Sequence, residues 1–445
     1  MDLPPGERVI RLLKSVYGLT TAPLEWYAQV DKVLQELGGV QTAADPCVWT
    51  FNSRNGEHIG IIGAHVDDFL IAGSEGPEWK SILETLLTAF RWTPWEEKSF
   101  KQCGVMIEQQ DDYSIIQHQE EYLALLEEVK IESKRQKELT SPVTESERTQ
   151  LRALLGGLQW LVTQTRLDAS IDVNLLQSCV TTATVENLLA ANKILRKLRY
   201  GESKLYSRKI QGPLHLVAWS DASWANRKDG KSTGGYIVGI CGNNVLEGVQ
   251  EHVSVVSWST NKLKRVARSS MAAEMQALAN AEDELHLCRL AWLEFNGKRV
   301  DLNHVDEVLH EISGTVVIDA KSIYDVLTSQ NQPIQLSEKR TALEMLAYLK
   351  NTEANGTETR WVHGEANIAD GLTKLGNHPL LQEFLKTSTW ALVNDASQLS
   401  GKKRRAQGLS KLSSAPTDFA SFAWQALQKM WPDYCAHDSS ASNSP

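Results

Sequence analysis

The sequence predicts an α/β protein of the α+β kind, in which a mixed β-sheet flanked by helices follows a smaller strand-and-helix unit and a helical segment. Three observations predict it. From residue 212 to about 375 the elements read as three strands, a long helix, a strand, two helices, a strand and a short helix, an order that favours a mixed sheet with helices on its faces. Residues 151–200 carry helical periodicity, and the first 125 or so residues mix short β-branched runs with helices.

In chain order, "APLEWYAQVDKVLQEL" predicts a helix: Leu24, Tyr27, Val30, Val33 and Leu37 recur at helical spacing and Pro23 suits a first turn. "IGIIGAHVDDFLIAG", with breaks at Gly63 and Gly73, predicts a hairpin with Asp67 and Asp68 at its turn. Its apolar flanks place the two carboxylates close to a core, where unpaired neighbouring charges are expensive. Residues 130–150 are polar, charged and non-periodic, and predict a linker. "LRALLGGLQWLV" and "VENLLAANKILRKLRY" predict helices, and the character changes at Gly212-Pro213. Beyond it, "LHLVAWSDAS", "GGYIVGI" and "HVSVVSWS" predict strands, and a long helix follows from Ser270 to about Phe295. Next come strand "GTVVID", a short helix after Ser322, helix "EKRTALEMLAYLK", strand "TRWVH" and a final short helix "ANIADGLTK". Residues 379–445 predict a partly disordered tail, in which "GKKRR" and the amphipathic "FASFAWQALQKMW" precede a Ser-rich end. "GKKRR" reads as a solvated tail segment, a nuclear address or a nucleic-acid contact.

A chain of 445 residues with 42% hydrophobic content can supply two or three domains with cores. The opening "MDLPPGERV" lacks the order of a secretory signal, and no apolar run reaches the roughly 18 residues of a membrane span. The expectation is an intracellular protein, cytoplasmic or nuclear, with no membrane partner. Six scattered cysteines form no CxxC pair, which argues against a zinc knuckle or a disulfide framework and for reduced, mostly buried thiols. The net charge of −9 is uneven, because residues 191–270 carry 14 Lys and Arg against five Asp and Glu. A basic segment beside acidic ones can hold a phosphate backbone near a carboxylate site, and it can equally form a solvated face.

Four carboxylates stand where strands and helices end. Asp221 follows the alternating strand "LHLVAWS", Glu274 borders the apolar stripe of the long helix, Asp319 ends the buried run "VVI", and Asp370 opens the last helical segment. Each alone has a plain structural explanation as a turn residue, a surface acid or a cap. Together they would repel unless cations neutralised them, and hard oxygen ligands suit Mg²⁺ or Mn²⁺. Two such ions can activate a water and stabilise the leaving oxygen of a phosphodiester. Lys262, Lys264, Arg265 and Arg268, just before the Glu274 helix, form either a grip on the substrate backbone or a solvated loop.

"WSDASWANRKDGKSTGGYIVG", "SVVSWSTNKLKRVARSSMAAEMQAL", "VVIDAKSIYDVL" and "ANIADGLTK" resemble the ribonuclease H domain of copia-type LTR retrotransposon Pol polyproteins. The four metal-binding acids of that family fall on Asp221, Glu274, Asp319 and Asp370. "RLLKSVYGLTTAPLEWY", "ADPCVWTF", "HVDDFLIAG" and "LRALLGGLQWLVTQTRLDAS" resemble, in order, segments of the family's reverse transcriptase, so that residues 3 to about 375 are covered. The resemblance implies a truncated polymerase palm over 1–129, a linker over 130–150, a helical thumb or connection over 151–205, and a ribonuclease H-like domain over 212–378. It implies that Asp67 and Asp68 are the paired metal-binding aspartates of the palm, the alternative being a plain acidic turn. The family's third palm aspartate lies upstream of the point that "DLPPGE" resembles, and His65 replaces the usual tyrosine, so DNA synthesis by this chain alone is not expected. Asp319 is followed by Ala320 where Asn is usual, and Ser337-Glu338-Lys339-Arg340 replaces a TKHI-like run. His363, seven residues before Asp370, stands near the place of a histidine that assists product release or proton transfer in other ribonuclease H branches, and ordinary strand-end packing is its alternative. The implied activity is two-ion hydrolysis of the RNA strand of RNA–DNA hybrids. The alternatives are an inactive or domesticated remnant that binds nucleic acid without cutting it, and a polymerase completed by another Pol-derived chain.

Overall fold

In the computed structural model, residues 16, 18–201, 204–210, 212–329 and 338–393 are described. The "DLPPGE" opening, Ser337, the "GKKRR" run, the amphipathic segment after it and the Ser-rich end lie outside the described residues.

Helix α1 (Ala22–Glu36) carries Pro23 in its first turn, where a missing N–H has no helical partner to lose. Its inner face departs from the expected stripe: Val30 and Leu34 are buried, whereas Leu24 is 70% exposed. Strands β1 (Val40–Gln41), β2 (Val48–Asn52), β3 (His58–His65) and β4 (Asp68–Gly73) form an antiparallel sheet in that order. Helix α2 (Pro77–Ala89) shares a core with α1, β2 and β3 built on Leu34, Trp49, Phe51, Ile62 and Trp79. Gly60 faces Gly73 across β3 and β4, and a Cβ on either would fall within 2.4 or 2.3 Å of the Trp79 ring, so the glycine pair makes the slot that the indole fills.

The β3–β4 hairpin forms as predicted, with Val66 and Asp67 between the paired His65 and Asp68. Its surroundings require a correction. Asp67 and Asp68 are both exposed, and so are Val66 and Leu70 beside them, because the turn projects beyond the edge of the core. Solvent, rather than an apolar interior, makes the adjacent charges tolerable. Val66 adopts φ 58°, a left-handed conformation that is strained for a β-branched residue, and the Trp26 indole donates to its carbonyl.

A second unit contains β5 (Ser99–Gln102), β6 (Val105–Gln109) and β7 (Ile115–His118), followed by helices α3 (Glu120–Leu125), α4 (Glu145–Gln164), α5 (Ser170–Cys179) and α6 (Val185–Tyr200). Strand β8 (Lys204–Ser207) returns to pair with β7. The segment 130–150, read as a linker from its polarity, is packed at both ends. The buried Asn192 amide bonds both the N–H and the C=O of Val129 at 2.9 Å, and Val143 is buried in the helical core. Arg135 donates to both Glu147 oxygens at 2.8 and 3.0 Å and to the Pro142 carbonyl at 2.7 Å. α4 starts six residues before the predicted helix, at a capping box in which Thr144 and Glu147 satisfy each other's backbone N–H.

The third unit is a six-stranded sheet. Strands β9 (Leu214–Ser223), β10 (Thr233–Gly242) and β11 (Glu251–Lys262) run antiparallel, and helix α7 (Ser270–Phe295) and the short α8 (Val305–Leu309) lead to β12 (Ser313–Ile318), which lies parallel to β9. Helices α9 (Lys321–Thr328) and α10 (Lys339–Asn355) precede β13 (Thr357–Trp361), parallel to β12. Helix α11 (Pro379–Thr387) and β14 (Thr389–Trp390) complete an order β13-β12-β9-β10-β11-β14. Alternation along β9 sends Leu216 and Ala218 to a core shared with α7 and α10, and Val217 and Trp219 to the opposite core. This is the mixed sheet with helices on its faces that the sequence predicts.

The tail needs a second correction. Leu381, Phe384, Trp390 and Leu392 are buried in the Trp219 core, so residues 379–393 belong to the folded unit. Helical spacing of Leu381 and Phe384 within a nine-residue helix explains why. The "ANIADGLTK" helix is a single 3-10 turn over Ile368–Leu372. All five described cysteines are free; Cys179 and Cys241 are buried and the other three partly so. Among the described residues no helix is long and apolar enough to cross a membrane.

Candidate functional site

Register brings two of the four predicted acids together. Trp219 pairs with Val317 in the parallel β9–β12 ladder, and two residues further along the same pleat stand Asp221 and Asp319. The third arrives on the 3-10 turn from Ile368 to Leu372, which crosses the end of β9 and β10. Gly235, opposite Asp221 on β10, makes that approach possible, since a Cβ there would fall 2.8 Å from Leu372 Cβ and 2.9 Å from Thr373 Cγ2. Asn367 anchors the turn by donating to the Ser220 carbonyl at 2.9 Å and accepting from the Ala369 N–H at 3.1 Å.

Asp221, Asp319 and Asp370 each offer a carboxylate oxygen within 4.8 Å of the others'. Asp221 is fully buried. Glu274, just past the first turn of α7 behind the Ser269 cap, falls outside that coordinating group but within the electrostatic reach of its members. Burial is the largest cause that raises all four carboxyl pKa values. The charge of Asp370 raises Asp221 further, Asp221 and Asp319 raise Glu274, and Asp221 raises Asp319. A donor set of hard, mutually repelling, desolvated oxygens fits a divalent cation such as Mg²⁺ or Mn²⁺.

Two partners were not read from the sequence. Thr373 Oγ1 donates to Asp221 Oδ2. Lys374 Nζ donates to Asp221 Oδ1 at 3.1 Å and to Asp370 Oδ1 at 2.6 Å. Burial works against the Lys374 charge, and the Asp221 and Asp370 carboxylates outweigh it, holding its pKa above the usual lysine range. The lysine of "ADGLTK" was visible as an i+4 partner of Asp370, but its bond to Asp221 depends on tertiary register.

His363 stands two residues beyond β13 and caps the 3-10 turn Gly364–Ala366, and the N–H of the preceding Val362 donates to Ile318 O at 2.9 Å. Its Nδ1 accepts the Glu365 N–H at 3.2 Å, and Gly364 lies so close that a Cβ would sit 3.1 Å from Asp319 Oδ2. Of the basic quartet, Lys262 pairs with Asp229 at 3.1 Å and Arg265 with Glu344, while Lys264 and Arg268 are exposed. Asp67 and Asp68 meet no third acid of a metal-binding group among the described residues.

Residues 4–144 match the family described as reverse transcriptase (RNA-dependent DNA polymerase). The chain is 30% identical over 311 residues to the retrovirus-related Pol polyprotein from transposon RE1 of Arabidopsis thaliana, an alignment covering 65% of this chain and 20% of that protein. It is 27% identical over 407 residues to the corresponding polyprotein from transposon RE2 of the same plant, covering 86% and 26%. The putative transposon Ty5-1 protein of Saccharomyces cerevisiae is 25% identical over 283 residues, covering 59% and 87%. The chain thus spans about a fifth to a quarter of the Arabidopsis polyproteins it matches. Among solved structures, a foamy viral protease-reverse transcriptase in complex with RNA/DNA hybrid aligns with 86% of this chain and 41% of its own at 12% identity and a TM-score of 0.43. A ribonuclease H1 isolated from compost aligns with 36% of this chain and 92% of its own at 14% identity and a TM-score of 0.24.

Proposed function

The chain is a relative of copia-type retrotransposon Pol polyproteins with reverse transcriptase sequence over residues 4–144, and from that premise we propose that its third unit is a ribonuclease H that hydrolyses the RNA strand of RNA–DNA hybrids. The observation that carries this reading is the convergence of Asp221, Asp319 and Asp370 at one sheet end, with Glu274 in electrostatic contact. Two divalent ions held by these carboxylates would supply an activated water and charge stabilisation at the leaving oxygen. Thr373 orients Asp221, and the buried Asn367 holds the turn that presents Asp370. His363, whose neighbour Gly364 packs against Asp319, would move a proton beside the cluster. Lys264 and Arg268, exposed ahead of the Glu274 helix, are available to phosphates, with Lys262 and Arg265 joining them on exchange of their surface pairs. Discrimination of RNA from DNA rests on the 2′-hydroxyl and the shape of the hybrid. Asp67 and Asp68 correspond to palm ligands by motif.

The test is a purified chain given end-labelled hybrid and Mg²⁺. Only the RNA strand should be cut, and Asp221→Asn should lower the rate by about 100-fold or more. Unchanged cutting by Asp221→Asn refutes the assignment. Salt-sensitive hybrid binding with no product at any divalent metal would instead identify a chain that binds nucleic acid and does not cut it.

A further inference from the structure

The acidic cluster already holds a cation of its own. Lys374 Nζ bridges Asp221 Oδ1 and Asp370 Oδ1 at 3.1 and 2.6 Å, from one turn beyond Asp370. Its backbone is fixed independently of that bridge: the Lys374 N–H donates to Asp370 O at 3.0 Å, and its carbonyl is bonded to the His378 ring at 2.6 Å. The side chain is 42% exposed while Asp221 is fully enclosed, so the four-carbon stem runs from the solvent side inward. The ammonium can therefore leave by rotation of side-chain torsions alone, with the turn and the carboxylates staying in place.

We infer that Lys374 is the resident counter-ion of this cluster, neutralising Asp221 and Asp370 until a divalent cation takes its place between them. The inference rests on the metal-dependent reading above. Two anions enclosed at a sheet end repel unless a positive charge stands between them, and Lys374 supplies one that is tethered and reversible. A divalent cation held by these carboxylates would have to compete with the ammonium. Lys374 thus sets the metal concentration at which the site fills, and it is a positioning residue in the metal-free protein. Its charge, rather than its length, is what the ion displaces.

The experiment titrates Mn²⁺ into the full chain at constant ionic strength and pH 8 (a condition of the assay), with free Mn²⁺ read by electron paramagnetic resonance. Lys374→Gln should bind Mn²⁺ about tenfold more tightly than wild type, since charge-assisted hydrogen bonds of this kind no longer have to be broken. Lys374→Met, uncharged and unable to bond the carboxylates, should do the same, while Lys374→Arg should stay close to wild type. Equal or weaker Mn²⁺ binding by both neutral variants overturns the inference and leaves the ribonuclease reading standing. Mn²⁺ binding that survives Asp221→Asn unchanged, in wild-type and Lys374→Gln backgrounds alike, overturns the metal-site reading itself and this inference with it.

Discussion

His215, in the middle of the sheet on β9, is 5% exposed, and its Nε2 lies 2.9 Å from Thr315 Oγ1. Burial, assisted by the Arg289 charge, pushes its pKa from 6.5 down to about 4. The folded state keeps the ring neutral where an unfolded chain would protonate it. Stability from this site is therefore complete above the unfolded value, falls as the pH drops through that interval, and levels off below the folded value. The loss is on the order of 3 kcal/mol. Urea unfolding midpoints measured across that interval should fall for wild type and fall less for His215→Gln; parallel slopes would exclude His215 as the cause. Gly235 makes a second residue-scale case. Gly235→Ala would drive a methyl into Leu372 and Thr373 and displace the turn that carries Asp370. Hybrid cleavage should drop on the order of 100-fold, as an ångström-scale misplacement of a catalytic group does, with far-UV circular dichroism unchanged; full activity would show that the turn adapts freely. The three acids that converge, Asp221, Asp319 and Asp370, stood out in the sequence because each is a charge at the end of an apolar element, whereas Glu274 falls outside their group. Gly235, Thr373 and Lys374 did not stand out, because their roles depend on strands that meet from distant parts of the chain, as in the Lys374–Asp221 pair.

Elements with a local cap and a strong period were legible almost to the residue. The long helix predicted from Ser270 to about Phe295 is observed as Ser270–Phe295, since Ser269 accepts from the Ala272 N–H at 3.1 Å and the alanine- and leucine-rich face that follows packs on the sheet. The contacts of the 130–150 segment were not legible for the opposite reason: Arg135 bonds Glu147 and the Pro142 carbonyl through tertiary geometry rather than through an apolar period. At this scale the capping box is testable. Thr144→Ala removes the oxygen that accepts the Glu147 N–H at 3.2 Å, and the expected cost is about 1 kcal/mol in denaturant unfolding. Because Glu147 also holds Arg135, protease cleavage within 130–143 should rise in the same variant. A stable variant with an unaltered cleavage pattern would show that the cap and the segment are independent.

The three units are joined by polar contacts that recruit the backbone of one to the side chains of another. The Trp258 indole of β11 donates to the Val162 carbonyl of α4 at 2.7 Å, and Asn174 of α5 donates to the Thr260 carbonyl at 2.8 Å, so the helical unit sits on the sheet that carries the acids. The first unit is attached at the far end of α7. Glu294 accepts the N–H groups of Ala43 and Ala44 at 2.9 and 2.7 Å, and Asn52 donates to Gly297 O at 3.0 Å. Glu274 and Glu294 lie on one continuous helix, and twenty residues of helix separate them by about 30 Å, which makes this docking mechanically linked to the candidate site but chemically remote from it. Glu294→Ala leaves two backbone donors without their carboxylate, a loss of about 2 kcal/mol for charge-assisted bonds. Amide hydrogen exchange at Ala43 and Ala44 should then accelerate on the order of tenfold or more, while the hybrid-cleavage rate should hold within a factor of about two, because no group at the acidic cluster has changed. Unaltered exchange would show that Glu294 does not hold the first unit in place. A large fall in cleavage would show that α7 transmits the state of this junction to Glu274, making the first unit a determinant of the candidate site rather than a neighbour of it.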